Sequence, residues 1–374
     1  MLRVGITGQS GFIGTHLYNY LNLRKTEIQM IPYKDEYFSN SEQLMDFVSH
    51  CDTIVHLAAM NRHNNPDIIY NTNIGLVKKL IGALEQARSK VHVIFSSSTQ
   101  EEHDNPYGKS KYEGRILLEE WARRNNAQFT GLIIPNVFGP FGNPFYNSVI
   151  ATFCYQLTHS IEPHIEIDGL MKLIYVNELI EEIYYLIIKK PKDALSLIRV
   201  KNTTEIKVSG ILDMCKNYKS LYFENGILPN LDDRFGLDLF NTFITYIDIK
   251  NYFPVRLNQK VDNRGSFVET IKLNSGGQVS FSTTKPGITR GNHFHTQKAE
   301  RFIVIKGKAR IQLKRIGTTE VLNFELDGSQ PSYVDMPVWY THNITNIGDD
   351  TLYTLFWINE PYRPENPDTF MEMV

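Results

Sequence analysis

Residues 2–16 read Leu2-Arg3-Val4-Gly5-Ile6-Thr7-Gly8-Gln9-Ser10-Gly11-Phe12-Ile13-Gly14-Thr15-His16. Arg3 to Thr7 reads as a strand and Phe12 to Leu23 as a helix, with Gly8, Gly11 and Gly14 between them at GxxGxxG spacing. Glycines let a backbone turn tightly and approach a pyrophosphate, and the helix start adds free N–H groups and a positive dipole end. A strand, this loop and a helix therefore predict a dinucleotide site at the head of a βαβ unit. The same alternation continues downstream. Glu27–Ile31, Thr53–Leu57, His92–Ser96 and Thr130–Ile134 are short apolar runs, separated by helical patterns such as Ile69–Ala87 and Gly108–Arg124. Strands alternating with helices predict a doubly wound parallel sheet.

From about Asn258 the texture changes. Phe302–Ile305, Arg310–Leu313 and Thr351–Trp357 are separated by Gly, Pro and Asn turns, with no convincing long helix. That pattern predicts an all-β barrel or sandwich. We expect an α/β domain over 1–247 and a β domain over 255–374.

Composition excludes several alternatives. Apolar residues make up 42% of the 374-residue chain and charged residues 21%, too apolar for a mostly disordered chain. The net charge of −2 argues against a protein that coats nucleic acid. No stretch approaches the roughly 18 consecutive apolar residues of a membrane span. Cys51, Cys154 and Cys215 are widely spaced and in no metal-ligand pattern, so they read as reduced, buried thiols. MLRVGITG carries no signal-peptide pattern, and we expect a cytoplasmic protein.

The end of the second strand should meet the adenosine ribose. There the chain reads Ile31-Pro32-Tyr33-Lys34-Asp35, a cation before any acid. Lys34 suits a 2′-phosphate and favours NADP, while Asp35 leaves NAD open. Further on, Tyr107 and Lys111 stand four apart on a predicted helix and share a face. An ammonium beside a phenol favours phenolate, so the pair can relay a proton to or from a carbonyl. Tyr185…Lys189 and Tyr246…Lys250 share the spacing but lack the serine cluster Ser96-Ser97-Ser98-Thr99 that precedes Tyr107. A hydroxyl there can orient a substrate carbonyl. Ser98 is our choice, with Thr99 the alternative.

The glycine triplet, His56-Leu57-Ala58-Ala59, Asn73, the serine triplet, Tyr107…Lys111 and Pro135-Asn136-Val137-Phe138-Gly139 together resemble the extended short-chain dehydrogenase/reductases. The resemblance covers roughly residues 1–245. It implies Tyr107 as acid/base, Lys111 on the nicotinamide ribose and Ala58 along the cofactor. It also implies a sugar-nucleotide substrate held in part by the segment after Pro135, with Asn136 and Asn147 as candidates. Only nine positions separate Ser98 from Tyr107, shorter than in most members.

The β region carries a second constellation. Gly287-x5-His293-x-His295-x4-Glu300-x6-Gly307 is followed by Pro337-x4-His342-x3-Asn346. On a strand His293 and His295 point the same way, and Glu300 and His342 can close the set from neighbouring strands. Three imidazoles and a carboxylate suit a divalent ion, Zn²⁺ first, with Fe²⁺ and Ni²⁺ also acceptable. The spacing resembles the two cupin motifs, with Trp339 standing where a glycine is usual. Asp262 to Glu269 and Arg290-Gly291-Asn292-His293 also resemble cupin-fold epimerases of nucleotide-linked 4-keto sugars. That family's base falls at His293, here a metal-ligand candidate, so Tyr340 and Glu269 become the candidate bases. Arg264 and Arg290 could fork onto substrate phosphates.

A sugar-nucleotide reductase joined to a metal cupin resembles a family of bifunctional capsule-biosynthesis enzymes over nearly the whole chain. The resemblance implies two steps on a UDP-2-acetamido-2,6-dideoxy-4-hexulose: epimerisation at C3, then NADPH reduction at C4 to the L-talo product, on the UDP-N-acetyl-L-fucosamine route. It leaves a one-step reductase with a structural cupin, or an inactive sugar-nucleotide sensor, as alternatives. Barrel cupins commonly pair, so a homodimer is the default.

Overall fold

The computed structural model describes residues 1–374, which form two compact units. The first comprises residues 1–138, 142–149 and 169–207. Its centre is a six-stranded, wholly parallel sheet. Five strands are β1 (Leu2–Thr7), β2 (Ile28–Met30), β3 (Thr53–His56), β4 (His92–Ser98) and β5 (Phe129–Ile134). They lie in the order β2-β1-β3-β4-β5, with Leu195–Arg199 beside β5 at the edge. The Rossmann-type parallel sheet read from the N-terminal pattern is present.

Both faces of the sheet are covered, which is why its strands read as continuous apolar runs rather than alternating ones. Ile54 and Val93 pack with Phe47, Leu80 and Trp121 from α2 (Ser41–Ser49), α3 (Pro66–Gln86) and α4 (Pro106–Asn125). Their chain neighbours Val55 and Ile94 face the other way, onto Leu17 of α1 (Phe12–Asn22) and Ile180 and Ile183 of helix Val176–Ile188. Each such fully buried aliphatic side chain contributes about 2 kcal/mol. Chain direction around the sheet reverses between β1 and β3. The crevice beyond their carboxyl ends is where open α/β sheets bind ligands.

The second unit comprises residues 139–141, 150–168 and 208–374. Two five-stranded antiparallel sheets dominate it. Ile303, Tyr333 and Val334 of one sheet pack on Ile311, Leu313 and Phe324 of the other. Strand Lys308–Arg315 buries Ala309, Ile311 and Leu313, the period-two pattern of a sheet with one face inward. No long helix occurs after residue 258, as the texture implies.

The change in texture and the change in compact unit fall at different places. Helices Val208–Tyr218, Arg234–Ile244 and Ile249–Tyr252 precede the barrel in sequence but group with it. The tie is a buried polar network. Arg301 binds Asp335 through Nε (2.8 Å) and Nη2 (2.8 Å), and Nη1 donates to the Gly226 carbonyl at 2.8 Å. The Tyr222 hydroxyl donates to the same Asp335 at 2.6 Å. A buried guanidinium and carboxylate hold position when hydrogen bonds beyond their own pairing support them, and here Gly226 and Tyr222 supply these.

Candidate active site and metal centre

The glycine loop sits at the sheet's switch point. Gly8 has φ +72°, and a β-carbon on it would lie 2.7 Å from Ala58 N and Cα. The loops after β1 and β3 therefore meet backbone to backbone, and Ala58 lines that meeting. A β-carbon on Gly14 would lie 2.1 Å from the Gly8 carbonyl oxygen, so only glycine lets α1 pack so closely on the loop. Gly11 caps α1, and the first turn holds no acidic residue. The positive end of the helix is thus left to an anion, and the cradle fits a dinucleotide pyrophosphate. Asp35 lies against this loop, accepting from Ser10 Oγ at 2.9 Å, while Lys34 is exposed.

The predicted catalytic residues lie at the ends of β4 and α4. Asn105 caps α4 by accepting from the Gly108 N–H at 2.8 Å, and Pro106 opens its first turn. The short link that follows Ser98 is a 3₁₀ turn, Thr99–Glu102, capped by Ser98, whose Oγ accepts from Gln100 N at 3.2 Å. Lys111 is buried, and its Nζ donates to the Ser96 carbonyl at 2.8 Å while lying 5.7 Å from the centre of the Tyr107 ring. Burial brings the Lys111 ammonium down to about 7, against an upward pull from Glu101. Burial also holds the Tyr107 phenol above the ordinary tyrosine range, with Tyr146 adding to the rise. The lowering of the phenol expected from its ammonium neighbour is not seen here, and burial sets the direction.

Three further side chains support this site, and of these only Asn73 was singled out by the sequence. Glu101 takes a hydrogen bond from Ser97 Oγ and a bidentate pair from Arg115, Nε at 2.9 Å and Nη2 at 2.9 Å. The only sequence signals are the four-residue spacings Ser97–Glu101 and Lys111–Arg115. Asn73 accepts from Met60 N at 2.7 Å and donates to Ser110 Oγ at 2.9 Å, and Ser110 Oγ donates to the Tyr107 carbonyl at 2.7 Å. Arg62 donates to the carbonyls of Phe145 (2.9 Å) and Tyr146 (3.2 Å). Asn136 and Asn147 are both exposed, the first at the start of strand Asn136–Phe138.

In the second unit His293, His295, Glu300 and His342 come together, with one ligand atom from each lying within 4.8 Å of the others. His295 Nε2 is 3.3 Å and His342 Nε2 is 2.9 Å from Glu300 Oε2. All three atoms are buried, yet none makes a hydrogen bond of proper geometry. Lone pairs converging on one point without satisfying each other are what a divalent cation resolves, so the donor set fits a metal. Burial and the other two imidazoles hold His293 down at about 4, in the neutral form a ligand needs. A bulge between Gly291 and His293, with Asn292 at φ +61°, resets the register so that His293 faces His342. Trp339 takes the glycine position itself, at φ +63°, and its N–H donates to the His295 carbonyl at 2.8 Å. The departure in the motif has not removed the turn.

The remaining candidates are more dispersed. Tyr340 is two residues from His342 on strand Tyr340–Asn346, hence on the same face. Burial raises its phenol against a downward pull from Arg315. Glu269 is exposed and pairs with Lys272 at 3.4 Å. Arg264 is exposed and pairs with Asp262 at 2.6 Å inside its own hairpin, while Arg290 is exposed on strand Thr289–Phe294. All three cysteines are free and buried.

A parallel sheet with a glycine cradle at its switch point is the architecture of nucleotide-binding oxidoreductases and epimerases. Residues 4–196 match the NAD dependent epimerase/dehydratase family, and the chain belongs to it. Residues 260–370 match the polysaccharide biosynthesis C-terminal domain. The chain is 30% identical over 372 residues to the UDP-2-acetamido-2,6-beta-L-arabino-hexul-4-ose reductase of Pseudomonas aeruginosa, covering 99% of this chain and 98% of that one. The crystal structure of the capsular polysaccharide assembling protein CapF from Staphylococcus aureus is similar over the full length of both chains, at 34% identity and a TM-score of 0.64. The structure of RMD from Pseudomonas aeruginosa complexed with NADPH shares the fold over 59% of this chain, at 19% identity and a TM-score of 0.53. No helix is long and apolar enough to cross a membrane.

Proposed function

We propose that this chain is a CapF-type bifunctional enzyme of a UDP-linked 4-keto-6-deoxy amino sugar. The β-rich unit epimerises C3 of a UDP-2-acetamido-2,6-dideoxy-4-hexulose. The Rossmann unit then reduces the C4 ketone to a UDP-2-acetamido-2,6-dideoxy-L-talose, on the route to UDP-N-acetyl-L-fucosamine and capsular polysaccharide. The observation that carries this reading is the coexistence, in one chain, of the Ser98–Tyr107–Lys111 set and a four-ligand cage. The full-length relationship to a 4-ulose reductase supports it. The order of steps follows from chemistry, because the C4 ketone is what acidifies the C3 proton.

Bound NADPH supplies the hydride. Ser98 Oγ accepts from Gln100 N, and its own O–H serves as the donor to the ketone oxygen. Tyr107 donates the proton to that oxygen, and buried Lys111 holds the ribose and tunes the phenol. Gly8, Gly11, Gly14 and Ala58 cradle the pyrophosphate, and Lys34 meets the 2′-phosphate. One observation favours NADH instead: Asp35, not Lys34, touches the glycine loop. Asn136, Asn147, Arg264 and Arg290 serve the sugar nucleotide. His293, His295, Glu300 and His342 would hold a divalent ion, Zn²⁺ first, which would supply Lewis-acid polarisation of a carbonyl. Tyr340, on the face of His342, is the preferred base over the outlying Glu269. The enzyme acts in the cytoplasm as a homodimer.

Product analysis by NMR in D₂O, with and without NADPH, tests the assignment. Tyr107→Phe should stop NADPH oxidation while C3 deuterium exchange continues; loss of both would end the division of labour. A reductase with a structural cupin is the second reading, favoured by the relative's naming as a reductase alone. It predicts no C3 exchange in any variant. An inactive sensor would oxidise no NADPH with any 4-keto sugar nucleotide.

A further inference from the structure

The four-ligand cage is bound from outside by one short segment, residues 367–373. Strand Phe370–Met371 pairs with the strand of His293, setting Met371 opposite His293 and Phe370 opposite Phe294. The Thr341 hydroxyl, next to His342, donates to the Glu372 carbonyl at 2.5 Å. The Glu372 N–H donates to the carbonyl of Asn292, next to His293, at 3.0 Å.

Asp368 does more than its neighbours. Its backbone carbonyl lies 2.5 Å from His295 Nδ1, so Nδ1 carries the hydrogen and Nε2 keeps its lone pair for the cage. Its carboxylate gathers the loop that joins His295 to Glu300. Thr296 Oγ1 donates to it at 2.7 Å, and the N–H groups of Thr296 (3.1 Å), Gln297 (2.9 Å) and Lys298 (3.2 Å) do the same. The Lys298 ammonium also donates to the Pro367 carbonyl at 3.0 Å. Asp368, Thr296 and Lys298 are all buried. Asp368 itself has φ +41°, a left-handed conformation that costs a residue with a side chain. That conformation lets its carbonyl reach His295 while its carboxylate reaches the following three amides.

We infer that Asp368 is a positioning residue for the metal centre, fixing the His295 tautomer with its main chain and the His295–Glu300 loop with its side chain. The inference rests on the reading of the cage as a metal centre. Three consecutive amides and a hydroxyl turn to one carboxylate on the loop that joins two of the four ligands. Outer partners of this kind typically change metal affinity about ten- to a hundredfold.

The test is zinc affinity of the full-length protein against a chromophoric chelator, with the Co²⁺ visible spectrum alongside. Asp368→Ala should bind zinc about ten- to a hundredfold more weakly. Asp368→Asn, which keeps the shape and one acceptor oxygen, should recover part of the loss and shift the Co²⁺ bands. A folded Asp368→Ala protein with wild-type zinc affinity overturns the proposal. Should Asp368→Ala fail to fold, Asp368→Asn and Thr296→Val decide it: wild-type affinity and an unaltered Co²⁺ spectrum in both overturn it equally. A wild-type protein that takes up neither ion instead removes the metal-centre reading on which the inference stands.

Discussion

A β-carbon on Gly108 would lie 2.0 Å from the carbonyl oxygen of Gln100. The first turn of α4, which carries Tyr107, therefore rests directly on the 3₁₀ turn that Ser98 caps. The obstructing atom is backbone, so neither side can yield cheaply. Gly108→Ala should push α4 off the turn and lower kcat about a hundredfold, since roughly an ångström of misplacement at a reacting group costs that much. Steady-state kinetics check this. A variant with wild-type kcat would mean that the contact does not position Tyr107.

Glu101 raises the proton affinity of Lys111, which burial has brought down to about 7. Removing that carboxylate removes the upward pull. If the reductase needs the ammonium, its rate falls as pH rises through the Lys111 value. Glu101→Gln should therefore move this alkaline limb to lower pH. It should also cost about 3 kcal/mol of stability, because Arg115 loses a buried charged partner. Rates across pH 5–9 and a denaturant titration read the two effects separately; an unmoved limb would detach Glu101 from Lys111.

Lys34 and Asp35 compete to define the coenzyme. If Lys34 meets a 2′-phosphate, Lys34→Ala should raise KM for NADPH about tenfold, the worth of one charge-assisted hydrogen bond. KM for NADH should stay within about twofold. Equal changes for both coenzymes would assign Lys34 to solvent and leave Asp35, already against Ser10, as the ribose partner.

Trp339 holds a left-handed turn at φ +63° while only 2% exposed. Trp339→Gly would relieve about 1 kcal/mol of backbone strain but lose about 4 kcal/mol of aromatic burial against Phe294. The net expectation is a loss of about 3 kcal/mol, visible as a lower Tm. An unchanged or raised Tm would show that strain, not packing, dominates at this turn.

Much of the architecture was legible along the chain. The reading of Arg3–Thr7, Phe12–Leu23 and Thr53–Leu57 matches Leu2–Thr7, Phe12–Asn22 and Thr53–His56 closely. Local apolar runs and glycine spacing carry that information directly. The shared face of His293 and His295 was legible too, because side chains two apart on a strand point the same way, while the bulge that brings His293 opposite His342 was not. The Glu101–Arg115 pair, the Ser10–Asp35 contact and the Asp368 anchor were not. Each joins residues well apart in sequence through charge or backbone carbonyls, which leave no periodic mark. The grouping of residues 208–252 with the barrel was equally hidden, since it depends on Arg301 and Asp335 meeting Tyr222 and Gly226.

The order of amino acids by itself determined which segments become strands or helices, where the glycine turn falls and which four side chains of the ligand type are candidates to converge. These are consequences of periodicity and of residue chemistry at short range. Only the tertiary structure decided how strongly each group is tuned and what holds it. Burial brings Lys111 down to about 7, and packing puts the Asp368 carbonyl against His295. Desolvation and contact across 73 positions of chain exist only once the fold has closed.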